Sequence, residues 1–198
     1  MYQHPMTKSK VAVALLGALG ITAPAMALDN FTAKMTGIKE VPLCLSVGSG
    51  KFEATVSNDK TSIDYTLTYD KLDGVPTVAH IHLGKPTDAG GIIVNLCGES
   101  GTGGNGNGGD GNGSGDNGSG DNGNGSNGTN ACSEGSGTVS GTITAEDVVG
   151  PVDQGIEAGN FDDLLLAMKR GLTYVNVHSD ICPNGEIRGQ IVRRAVQP

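Results

Sequence analysis

Alternation with a period of two is the feature that most constrains this chain. In Ala79-His80-Ile81-His82-Leu83-Gly84, apolar Ala79, Ile81 and Leu83 alternate with His80 and His82. Side chains two apart on a strand share a face, so the imidazoles project together while the apolar residues enter a core. Residues 172–178 read the same way: Val175 and Val177 take one face, and Tyr174, Asn176 and His178 the other. Residues 185–191 set Ile187 and Ile191 against Glu186, Arg188 and Gln190. If the three segments share a sheet, one face carries three imidazoles, a carboxylate and a guanidinium.

The same alternation recurs along the chain. Residues 30–37, 51–56, 63–69, 92–96 and 138–144 read as further strands, with turn chemistry at Asn58-Asp59-Lys60 and Asp73-Gly74. Residues 161–170 form the one clear helix. Asn160 is placed to cap it, Asp162 and Asp163 lie at its positive end, Lys169 and Arg170 at its negative end, and Gly171 stops it. Residues 144–147 suit one further helical turn. About eight short strands and one short helix predict an all-β fold, an antiparallel Greek-key sandwich or barrel with the helix crossing one end.

Residues 1–27 read as a secretory signal peptide. Lys8 and Lys10 precede an apolar run over residues 11–25, and Ala25-Met26-Ala27 is an A-x-A cleavage pattern, so the mature chain is expected to begin at Leu28. The run is short for a membrane span, and no second one follows. The expectation is an exported protein, secreted, periplasmic or at the cell surface, with residues 28–198 forming a single domain. The fourth histidine, His4, leaves with the leader. The chain carries 13 basic against 21 acidic residues, a net charge of −8, and loss of Lys8 and Lys10 makes it more negative. Such a surface repels phosphate backbones and argues against nucleic acid as a partner; an extracellular protein or glycan is the expected class.

Four cysteines in an exported chain suggest disulfides, and three pairings are possible. Cys97 and Cys132 flank a low-complexity stretch, so joining them pinches its base; that leaves Cys44 with Cys182. Residues 98–131 interrupt the domain with a stretch made almost entirely of Gly, Asn, Ser and Asp. From Gly98 to Asn130 it has no apolar residue to offset the entropy of ordering, and it is expected to be a flexible loop. Asp110, Asn112, Ser114 and Asp121 imitate the spacing of a calcium loop. A four-letter composition generates that match unaided, and no helices flank it, so calcium is not assigned.

The chain resembles the CHRD domain, the module repeated in chordin and found alone in exported bacterial proteins. The pieces that carry the resemblance are Glu40-Val41-Pro42, residues 79–84, Gly141-Thr142-Ile143-Thr144-Ala145, Gly171 with Tyr174-Val175-Asn176-Val177-His178, and residues 185–190, in the family's order across residues 31–191. The insert falls where the family has a short connection. A more distant resemblance is to copper/zinc superoxide dismutase, whose copper ligands include an H-x-H strand and a later strand-ending histidine. His80, His82 and His178 match that pattern, while the bridging ligand and the zinc ligands have no counterpart.

Neutral imidazoles are good ligands for copper or zinc, and three of them with an open position make a site of catalytic type. Glu186 is a candidate to orient an imidazole, Arg188 to attract a small anion, and Asn176 to complete the polar face. The alternative is that these side chains hydrogen-bond one another and hold the strands together. No G-x-S-x-G elbow or P-loop accompanies them. The sequence therefore favours a non-enzymatic extracytoplasmic binding or structural module, with a mononuclear copper protein as the second reading.

Overall fold

The computed structural model describes residues 28–98 and 131–194. The leader and nearly all of the low-complexity insert, including its calcium-like pattern, lie outside the described residues. Among the described residues nine strands form one antiparallel sheet: β1 (Asn30–Thr36), β2 (Ser49–Val56), β3 (Ile63–Asp70), β4 (Pro76–Leu83), β5 (Ile92–Cys97), β6 (Gly137–Ile143), β7 (Thr173–Ser179), β8 (Ile187–Gln190) and the two-residue β9 (Val192–Arg193). The strand order is β5-β4-β7-β8-β1-β2-β3-β6, with β9 paired to β1. The sheet curls into a nearly closed barrel in which β5 and β6, its two end strands, come together. Across that seam β4, β5 and β6 run in succession and β3 returns beside β6, which is a Greek key.

The register explains why the barrel closes on an apolar interior. Ala33 pairs with Phe52, Phe52 with Leu67, and Leu67 with Val139. On the other side Ile81 pairs with Val175 and Val177 with Ile187. All of these side chains are buried in one core. Burial of that kind contributes roughly 1.5–3 kcal/mol for each large aliphatic or aromatic side chain.

The single α-helix among the described residues, α1 (Phe161–Lys169), adds Leu164, Leu165 and Met168 to this core. The Asn160 side chain accepts from the Asp163 amide at 3.2 Å, and Gly171 ends the helix at φ +66°. Residues Ala145–Asp147 form a 3-10 turn in which the Asp147 carboxylate accepts from the Thr144 amide at 2.8 Å. Strand β9 and the 3-10 turns at Gly37–Lys39 and Val152–Gln154 have no alternation to announce them.

Two disulfides, Cys44–Cys182 and Cys97–Cys132, complete the frame, and both are the pairings expected from the flanking positions. They are consistent with an oxidising compartment. Cys97–Cys132 ties the end of β5 to the segment that leads into β6, and the Tyr65 hydroxyl donates to the Leu96 carbonyl across the same seam at 3.1 Å. Among the described residues no helix is long and apolar enough to cross a membrane.

Candidate metal centre

Strands β4, β7 and β8 are consecutive in the sheet, so the polar halves of the three alternating segments meet on its outer face. His80 lies opposite Asn176, and Asn176 opposite Arg188; His82 lies opposite Tyr174, and Tyr174 opposite Gln190. His178 pairs with Val78, one step diagonal from His80. An outer face normally meets water, yet His80 and His82 are each 7% exposed, and Asn176 and Arg188 2%. Three connections make contact with this face: residues 37–48 before β2, 84–91 between β4 and β5, and 180–186 between β7 and β8. The result is a second, polar layer stacked outside the apolar core.

Backbone carbonyls from these connections fix two of the imidazoles. His82 donates from Nδ1 to the Gly90 carbonyl at 2.9 Å, and His178 from Nδ1 to the Pro183 carbonyl at 2.9 Å. Each ring then presents Nε2 with a free lone pair. The His178 Nε2 lies 3.3 Å from His80 Nδ1, while His82 Nε2 is buried with no hydrogen-bond partner. One ligand nitrogen from each of the three rings lies within 4.8 Å of the other two. To bind one ion at about 2.1 Å, each nitrogen would move inward by less than about 1 Å, a side-chain adjustment rather than a backbone one.

The electrostatics suit the same chemistry. Burial lowers the His80 pKa to about 3, with the neighbouring His178 and His82 adding to the effect. Burial lowers His82 to about 4, against the opposing pull of the Gly90 carbonyl. His178 is also lowered by burial, opposed by its bond to Pro183. All three rings are neutral at neutral pH, the form that donates a lone pair to a metal.

The model for the CHRD domain family matches residues 31–191. The chain belongs to this family. The match runs from β1 to the end of β8 and contains all three histidines of the cluster. No curated protein and no solved structure matches the chain. The distant resemblance to copper/zinc superoxide dismutase, read from the three histidines, is therefore not borne out by these comparisons.

Within this CHRD domain the carboxylate beside the buried guanidinium is not the one the alternation singled out. Glu186 accepts from the Ser46 hydroxyl at 2.7 Å and from the amides of Asp73 and Gly74 at 2.6 and 3.2 Å. Those bonds pin the 37–48 and 73–74 segments together, and none goes to an imidazole. Glu40 faces Arg188, on whose charge Asp88 acts as well. It is 4% exposed, and burial raises its pKa to about 7 although the Arg188 charge pulls the other way. Glu40 lies in a non-repetitive turn, so no periodicity reveals its direction; the one sequence signal is its place in Glu40-Val41-Pro42, a piece shared with the CHRD pattern.

Arg188 donates to the Lys85 carbonyl at 2.8 Å, and its guanidinium lies 3.3 Å from the centre of the Tyr174 ring. Tyr174 in turn stacks on His82 with the rings 4.8 Å apart and 3° from parallel. The Tyr174 hydroxyl bonds at Gly90, the residue whose carbonyl holds His82. Arg188 thus acts on the imidazole cluster through packing, and its charge helps to lower the His82 pKa.

Proposed function

We propose that this CHRD protein is an exported, non-enzymatic binding module that holds one d-block metal ion on His80, His82 and His178. The observation that carries the reading is the buried, unpartnered Nε2 of His82, aligned by the Gly90 carbonyl beside the His80–His178 pair. A buried acceptor left without a partner costs about 1–3 kcal/mol, a cost that a bound cation removes. Imidazole-only donor sets favour Cu²⁺ over Zn²⁺ in the general affinity order, so copper is the preferred ion. With Nδ1 as the His80 ligand, binding requires the proton between His80 and His178 to move to His80 Nε2.

Residues 1–27 are taken as the export signal, in keeping with two disulfides. Amino-terminal sequencing of protein recovered outside the cytoplasm tests this, with Leu28 the expected first residue.

A second reading keeps the three rings as a hydrogen-bonded strut, supported by the 3.3 Å His80–His178 contact, which is satisfied without an ion. Calorimetric titration of metal-stripped protein with Cu²⁺ separates the two. The metal reading expects one ion per chain with a Kd below about 1 μM, nitrogen hyperfine structure in the EPR spectrum, and loss of both in His80→Ala and His178→Ala. Weaker binding, or an unchanged titration in His80→Ala, leaves the strut.

A further inference from the structure

A pocket of about 590 Å³ lies beside the polar layer, over β1, β8 and β9. Its volume is that of a small-molecule site, for which about 300–1,000 Å³ is usual. Ile38, Val41, Pro86 and Val192 form its apolar walls. Ile38 is 72% exposed and Val192 48%, so these side chains have no counterpart in the core to explain them.

The charge of the lining runs against that of the chain. Lys34, Lys39 and Arg188 line the pocket, and Glu40 is its one acid, in a protein whose formal net charge is −8. Burial raises the Glu40 pKa, which weakens its opposition to an incoming anion. Arg188 is 98% buried by its neighbours yet still lines the pocket, held by Lys85 and Tyr174. A guanidinium fixed in this way is preorganised for a planar anion, and the two exposed lysines add attraction at the mouth.

We infer that this pocket binds an amphiphilic monoanion: a carboxylate met by Arg188, Lys34 and Lys39, with an apolar tail against Ile38, Val41, Pro86 and Val192. An inorganic anion would leave the apolar walls unused, and a neutral apolar molecule would leave the three cations unused. The inference is independent of the metal reading, because none of the three histidines lines the pocket.

The test is calorimetric titration of the full mature chain with octanoate, octanol and octylamine. Saturable one-to-one binding of octanoate is expected, at least tenfold tighter than that of either analogue and weakening as salt is raised. The double variant Lys34→Gln/Lys39→Gln alters two exposed side chains, leaves folding intact by circular dichroism, and weakens octanoate about tenfold with little effect on octanol. Ile38→Asp, also at an exposed position, removes one wall and weakens octanoate similarly. His80→Ala/His178→Ala binds octanoate as the parent does, so a failed metal titration does not touch this result. Equal affinity for octanoate and octanol, tighter binding of octylamine, or unchanged octanoate affinity in the lysine variant would each overturn the inference.

Discussion

His80 and His82 reach their positions by the simplest rule in the chain, yet their chemistry is set by atoms that carry no sequence signal. The Gly90 carbonyl decides which nitrogen of His82 is protonated, and the Pro183 carbonyl does the same for His178, the partner of His80. Burial of the rings, which those carbonyl bonds oppose, sets their response to pH. The three histidines titrate in the folded chain below the ordinary 6.5, to about 3 for His80 and about 4 for His82. Between those values and 6.5 the unfolded chain binds more protons, so their contribution to stability is complete above 6.5 and drains as pH falls through the window. Glu40 acts in the opposite sense. Its pKa rises from 4.5 to about 7 on folding, so the folded chain holds the extra proton and stability is lost as pH rises through about 7. Urea unfolding of metal-stripped protein from pH 4 to 8 should show falling stability on the acid side. His80→Gln should flatten that fall, and Glu40→Gln should remove the loss near pH 7. A profile unchanged by either variant would place the titrating groups elsewhere.

At the scale of elements, the alternating segments were legible and the connections were not. Val175, Val177, Ile81 and Ile187 declared the inward face of their strands by spacing alone, and all are fully buried. The same parity set the histidines, Asn176 and Arg188 on one outer face. That this face would be sealed could not be read, because the covers are loops whose path depends on long-range contacts. Two glycines make those paths possible. A Cβ at Gly90 would overlap the Leu83 carbonyl, and one at Gly185, where φ is +125°, would run into the Glu40 carboxyl group. Gly90→Ala should displace the carbonyl that aligns His82 and weaken Cu²⁺ binding about tenfold or more, with a smaller effect on thermal stability. Gly185→Ala should cost about 2 kcal/mol in chemical denaturation, through backbone strain and the displaced acid.

For the whole molecule, the two cross-links divide the work unequally. Cys44–Cys182 spans 138 residues of sequence and joins the 37–48 connection, which bears Glu40, to the 180–186 connection, which bears the Pro183 carbonyl. Cys97–Cys132 spans 35. On loop entropy alone the first is worth about 5 kcal/mol and the second about 4 kcal/mol. Calorimetric unfolding of Cys44→Ala/Cys182→Ala should therefore show the larger drop in Tm, together with weakened copper binding; Cys97→Ala/Cys132→Ala should lower Tm and leave the imidazoles able to bind. The reverse order would mean that native packing, rather than chain constraint, governs the difference.

The seam between β5 and β6 is the place where the barrel tolerates the most. Its two edges are brought together by a covalent clasp and by a tyrosine hydroxyl reaching over from β3. A clasp of that kind fixes the exit and re-entry of the chain at one point, so the length of what passes between them is nearly free of consequence for the body of the protein. Evolution, or an engineer grafting a foreign epitope, can lengthen, shorten or rewrite that passenger while the host keeps its shape.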